Sequence, residues 1–164
     1  LMTIREKKGN FKGLKMCFIG DGNNMANSLM VGAVKTGMEF AIACPKGYEP
    51  DAALTAWAKE NGTVTVTDDV FAAAKDADVV YTDVWASMGQ EDEKAKREAA
   101  FKGYQVNAAL MEAAHSDAMV LHCLPAHRGE EITADVFEAH ADEIFEEAEN
   151  RLHAQKAVLC KLMK

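Results

Sequence analysis

Three short stretches of the chain carry side chains whose types suit capture of a small charged molecule. Gly20-Asp21-Gly22-Asn23-Asn24-Met25 sets two glycines ahead of two amides. Glycines allow a tight turn, and a helix start offers backbone N–H groups to an anion. Read as a dinucleotide fingerprint, the stretch lacks its third glycine. The next apolar run also ends in Cys44-Pro45, with no acid to hold a ribose hydroxyl. Asn24 instead offers a side-chain amide suited to a carboxylate. The plainer alternative is that Asn23 or Asn24 only caps the helix.

In Asp83-Val84-Trp85-Ala86-Ser87-Met88-Gly89, Asp83 is a carboxylate placed to hold an ammonium group, and Ser87 adds a hydroxyl acceptor. Gly89 permits a sharp turn that exposes the Met88 N–H. Here too a cap is the competing reading, with Asp83 or Ser87 satisfying orphan N–H groups ahead of Gln90. Trp85 reads as packing. His122-Cys123-Leu124-Pro125-Ala126-His127-Arg128 puts a thiol on a stiff turn. Proline biases Leu124 to an extended backbone with its carbonyl free. A zinc site of His122, Cys123 and His127 lacks a fourth ligand and the usual spacing, so no metal is expected. His122 reads best as a buried, hydrogen-bonded histidine. Farther on, Arg151 follows Glu146-Glu147-Ala148-Glu149-Asn150 just ahead of an expected final helix. A cation near a helix start opposes the macrodipole, so a specific partner is expected, with a solvated charge run as the alternative.

The elements that must position these residues follow from the hydrophobic pattern. Apolar or β-branched runs at 16–19, 40–44, 63–67, 79–82 and 119–122 read as five strands. Helical stretches separate them, at about 24–35, 51–60, a short one after Asp68 or Asp69, 91–101 and one after Asn107. A helix capped by Thr133 follows, and a last one runs from about Phe145 to Leu162. Alternation of this kind implies parallel strands with right-handed crossovers. The expected fold is α/β, a Rossmann-like five-stranded parallel sheet flanked by helices in three α/β/α layers. Ligands of such sheets bind beyond the carboxyl ends of the strands, which is where all three stretches fall.

The 164 residues suit one domain, with 49% hydrophobic and 27% charged residues. A net charge of −8 with no basic stripe disfavours nucleic acid. No apolar run approaches a membrane span, and residues 1–8 lack the pattern of a signal peptide. Cys17, Cys44, Cys123 and Cys160 form no C-x-x-C pair, as expected in a reducing cytoplasm. The chain opens on Leu1 rather than Met, as a fragment would.

Taken together, the segments resemble the ornithine carbamoyltransferase family. The likeness rests on Gly-Asp-Gly-Asn-Asn at 20–24, Pro-Lys-Gly-Tyr-Glu-Pro at 45–50 and Asp-Val-Trp-Ala-Ser-Met-Gly at 83–89. It continues in His-Cys-Leu-Pro-Ala-His-Arg-Gly-Glu-Glu at 122–131 and Glu-Asn-Arg-Leu-His-Ala-Gln-Lys at 149–156. The resemblance implies an ornithine-binding domain over 1–164, with 1–14 a lead-in from a missing carbamoyl-phosphate domain and 145–164 a C-terminal helix. It implies that Asn24 and the Met88 backbone hold the α-carboxylate of L-ornithine, while Asp83 and Ser87 hold its α-ammonium. Cys123 would sit beside the side-chain amine, making Cys123 and Asp83 the catalytic pair. Leu124 would contact the carbamoyl group, and Cys123 and Arg151 would reach carbamoyl phosphate. The implied reaction gives L-citrulline and phosphate without a cofactor. The amine must lose a proton first, to a thiolate or a carboxylate.

The family's arginine-rich phosphate loop is absent, leaving Arg5, Arg97, Arg128 and Arg151, two of them expected far from the site. The segment alone is therefore expected to be inactive, and the homotrimer implied for the full-length enzyme is not assured here. In an intact chain the resemblance implies that the final helix packs back on the absent domain, so here its apolar face (Leu152, Ala157, Val158, Leu159, Leu162) is expected to be exposed or captured by another copy. Competing readings are a putrescine carbamoyltransferase domain, which would leave Asn24 and the 87–89 loop without purpose, and a nucleotide-binding Rossmann-like module.

Overall fold

The computed structural model describes residues 1–86 and 91–163. Among these residues five strands, β1 (Lys15–Ile19), β2 (Glu39–Ala43), β3 (Val64–Thr67), β4 (Val79–Thr82) and β5 (Met119–His122), form one sheet in the order β3-β2-β1-β4-β5. Every pairing is parallel, as the alternating pattern predicts. Among the described residues eight helices flank it: α1 (Met2–Lys8), α2 (Asn24–Thr36), α3 (Ala52–Asn61), α4 (Val70–Ala74), α5 (Lys94–Ala100), α6 (Ala108–Met111), α7 (Ala134–Ala139) and α8 (Ala141–Leu162). A 3-10 turn at Glu91–Glu93 leads into α5.

Period-two side-chain alternation divides the core between the two faces of the sheet. Met16, Phe18, Phe40, Ile42, Tyr81 and Leu121 pack with Ile4 of α1 and with Ala26, Leu29, Met30 and Ala33 of α2. The opposite face, Cys17, Ile19, Ala41, Ala43, Val80 and Val120, packs with α4, α6, α7 and Ile144 of α8. Small residues at 41, 43, 73, 74 and 77 let the second layer approach closely. The acidic caps follow the sequence: Asp51 Oδ1 accepts from the Leu54 N–H at 2.8 Å, and Asp69 Oδ1 accepts from Phe71 and Ala72. Thr133 precedes α7 as expected but makes no side-chain cap bond. Gly37 closes α2 at φ 80°.

β5 is an edge strand, and α8 closes it in an uncommon way. Glu143 and Glu147, one turn apart on α8, accept from the free N–H groups of Val120 (2.9 Å) and His122 (3.1 Å). Carboxylates thus replace the missing neighbour strand. The final helix begins at Ala141, not Phe145, which puts Arg151 in mid-helix rather than near its start. From Arg151 to Met163 every residue is exposed. Among the described residues no helix is long and apolar enough to cross a membrane.

Candidate active site

Strand order reverses between β1 and β4, so the loops leaving these strands diverge and open a crevice. Asn24 follows β1, Asp83 follows β4 and Cys123 follows β5. Thr82 and His122 are register partners, so the next residues, Asp83 and Cys123, emerge side by side. The cavity there, of about 850 Å³, is lined by Asn24, Asp83, Cys123, Leu124 and Arg151 among others. Five of the seven residues singled out by sequence thus meet at one rim. The other two, Ser87 and Met88, lie outside the described residues, as does Gly89.

The two asparagines divide the work. Asn23 Oδ1 caps α2, accepting from the N–H groups of Met25 (2.9 Å) and Ala26 (3.2 Å). Its Nδ2 donates to Asp83 Oδ2 at 2.9 Å. Asn24 is exposed at the cavity, and its amide has no hydrogen-bond partner among the described residues. Asp83 is buried, and Oδ1 accepts from the Val84 N–H at 2.8 Å. The carboxylate is thereby aimed by donors on both oxygens.

Cys123 is half-buried and unbridged. Burial, then the charge of Asp83 and its hydrogen bond with the thiol, push Cys123 well above the ordinary thiol range. A thiolate at rest is therefore disfavoured. Leu124 departs from the expected extended backbone, with φ 57° and a cis bond to Pro125. Its N–H turns back to His122 Nδ1 at 2.9 Å, which needs a tight turn. Because Nδ1 accepts, Nε2 carries the ring proton and donates to the buried Glu131 at 3.1 Å. Glu131 Oε1 also accepts from the His127 N–H at 2.6 Å. His122 is thus occupied in holding the turn and is not free for a metal.

The glycine loop carries its own explanation. A Cβ on Gly22 would lie 2.2 Å from Pro50 N and 2.6 Å from Tyr48 O. Gly22 is bare so that the 45–50 loop can pack against it, with its N–H on Tyr48 O at 2.8 Å. Asp21 is held by Arg97 at 2.7 Å, and the same guanidinium nitrogen donates to Trp85 O at 2.9 Å. Burial raises Asp21 despite that cation. Trp85 packs on Phe101 with ring centroids 6.2 Å apart. Sequence reading missed Asn23's link to Asp83, the Arg97 clamp and Glu147, whose Oε1 accepts from Tyr81 OH at 2.7 Å. All three depend on pairings 60 or more residues apart, which no local pattern marks. Of the other arginines, Arg128 pairs with Glu138 at 2.7 Å on the surface and does not line the cavity.

A parallel sheet with amide, carboxylate and thiol at the carboxyl ends of its strands defines an α/β domain of the class that receives small ligands at that edge. Residues 12–162 match the family described as aspartate/ornithine carbamoyltransferase, Asp/Orn binding domain, and the chain belongs to that family. It is 55% identical over 166 residues to an ornithine carbamoyltransferase of Geobacter sulfurreducens, covering 100% of this chain and 55% of that one. With the enzyme of Pyrococcus horikoshii the identity is 52%, over 99% of this chain and 53% of the relative. The fold superimposes on the crystal structure of ornithine carbamoyltransferase from Gloeobacter violaceus with a TM-score of 0.90 at 50% identity, covering 100% and 56% of the two chains. For the Pyrococcus furiosus enzyme the TM-score is 0.89 at 52% identity, covering 96% and 52%. The chain spans about half the length of the curated relatives it matches.

Proposed function

We propose that this chain forms the ornithine side of an ornithine carbamoyltransferase active site, for transfer of a carbamoyl group to the side-chain amine of L-ornithine. The observation that carries the reading is the meeting of Asn24, Asp83 and Cys123 at one cavity. Asn24 supplies donors for the α-carboxylate, a group to which the family resemblance also assigns the backbone of Met88, outside the described residues. Asp83 and Ser87 accept from the α-ammonium. The side-chain amine has an ordinary pKa near 10.4 and must lose a proton before its lone pair can attack the carbamoyl carbon. Cys123 as a neutral thiol orients the amine, and the adjacent carboxylate of Asp83 takes the proton. Attack then expels phosphate and yields citrulline. The Leu124 carbonyl faces the carbamoyl group, and Arg151 reaches toward the phosphate.

A dianionic phosphate needs converging positive charge and backbone donors. Among the described residues the cations lining the cavity are Arg151 and Lys94, and Lys94 is shared with Glu130 at 3.4 Å. These 164 residues alone are therefore proposed to be catalytically silent and to bind ornithine weakly. The longer protein, a cytoplasmic homotrimer in this reading, would supply the phosphate-binding loop. Four free cysteines suit that compartment. Calorimetry with ornithine, putrescine and ATP tests the assignment. Ornithine is expected to give the only heat, reduced by Asn24→Ala. A preference for putrescine or nucleotide overturns the reading, and so does near-normal citrulline formation by this chain alone.

A further inference from the structure

Asn150 is the last buried residue of α8 among those described, 6% exposed, and it stands directly before Arg151. A buried amide is costly unless its hydrogens are taken up. Both are. Nδ2 donates to Thr3 Oγ1 at 3.1 Å and to Glu6 Oε2 at 2.6 Å, acceptors on successive turns of α1. Thr3 is itself buried. The contact therefore joins α8 to α1 rather than to the sheet. An ion pair of Lys7 with Glu146 also joins the two helices, but it is exposed, and such pairs fix little.

A buried polar contact of this kind fixes how two helices sit against each other, where an apolar one tolerates sliding. On α8 it is the third in a row. Glu143 and Glu147 hold the β5 edge and Asn150 holds α1, at steps of four and three along one face. Arg151 follows that seam by one residue, about 100° around the helix. It stands one turn beyond Glu147, and both line the cavity. A turn of α8 by that single step would carry Arg151 off the cavity and take Asn150 off both of its acceptors. We propose that Asn150 is a positioning residue: by locking α8 on α1 it fixes where Arg151 meets the phosphate of carbamoyl phosphate. The inference rests on the reading of Arg151 given above. An amide suits the place because it offers two hydrogens to two acceptors. A carboxylate there would face the Glu6 carboxylate at hydrogen-bond distance and push the helices apart.

Steady-state kinetics of the longer protein test this, with circular dichroism confirming that each variant folds. Asn150→Asp should raise KM for carbamoyl phosphate about tenfold, since a small displacement of a positioned group is enough. KM for ornithine should stay within about twofold of the parent's. The double variant Asn150→Asp/Glu6→Gln reverses donor and acceptor, and it should return KM for carbamoyl phosphate to within about threefold of the parent's. Asp69→Ala removes the cap of α4 and destabilises the domain elsewhere, and it should leave both KM values at those of the parent. A rise for Asp69→Ala equal to that for Asn150→Asp reduces the effect to stability and overturns the proposal. A double variant as impaired as the single one also overturns it. Parental KM in Asn150→Asp beside a raised KM in Arg151→Ala overturns the role of Asn150 alone. Parental KM in Arg151→Ala overturns the reading of Arg151 itself, and the inference falls with it.

Discussion

Replacing Asn23 with alanine should destabilise the domain far more than replacing its neighbour Asn24. Asn23 makes three side-chain hydrogen bonds: its oxygen accepts two from N–H groups in the first turn of α2, and its nitrogen donates one to Asp83. Loss of an N-cap costs about 1 kcal/mol. A hydrogen bond to a charged acceptor adds about 1.5 kcal/mol. Asn23→Ala should therefore lose about 2.5 kcal/mol, or roughly 5–10 °C in Tm for a domain of this size. Asn23→Ser keeps a cap and drops only the Asp83 contact, so it should lose about 1.5 kcal/mol. Asn24 is exposed and caps nothing, so Asn24→Ala should stay within about 0.5 kcal/mol. Urea unfolding with unchanged m-values reads all three. Equal losses for Asn23→Ala and Asn24→Ala would refute the division of labour. A serine variant as stable as the parent would show that the link to Asp83 contributes nothing.

Two further predictions concern titration. In a Cys160→Ser background, Cys123 should be alkylated slowly by iodoacetamide at neutral pH, because burial and Asp83 hold it as a thiol. Asp83→Asn removes the adjacent charge and should speed alkylation severalfold, and an unchanged rate sinks the assigned coupling. Burial also raises Glu147 above its ordinary value. The folded chain then keeps this proton to higher pH than the unfolded chain. Its contribution favours folding at low pH and is lost as pH climbs from the ordinary glutamate value through the raised one. Glu147→Gln should flatten that part of the stability profile measured by urea titration. A profile parallel to the parent's in that window counts against the assignment.

Fold class was legible because burial on both sheet faces writes itself into short apolar runs between helices. The cavity's strand-end residues were legible for the same reason, since parallel sheets present ligand groups at one edge. What could not be read was partnership across distance. Asn23 and Asn24 have the same side chain, and only the fold shows that one is occupied and the other exposed without a partner among the described residues. Gly22 looked like half of a nucleotide motif, whereas it makes room for residues 48–50. Leu124's φ arises from the ring of His122, a contact the proline rule does not contain. Arg151 looked like a helix-start residue because nothing local reveals that α8 starts ten residues earlier.

The covering of β5 by Glu143 and Glu147 limits how the architecture can grow. On that border the sheet's last donors are taken by side chains from a helix laid over them, so an added sixth strand must first evict α8. The opposite border, along β3, has no such occupant among the contacts described for its strand. Insertions, grafted hairpins and runaway strand-to-strand assembly should therefore all favour the β3 side. A designer extending this scaffold has one open margin and one locked one.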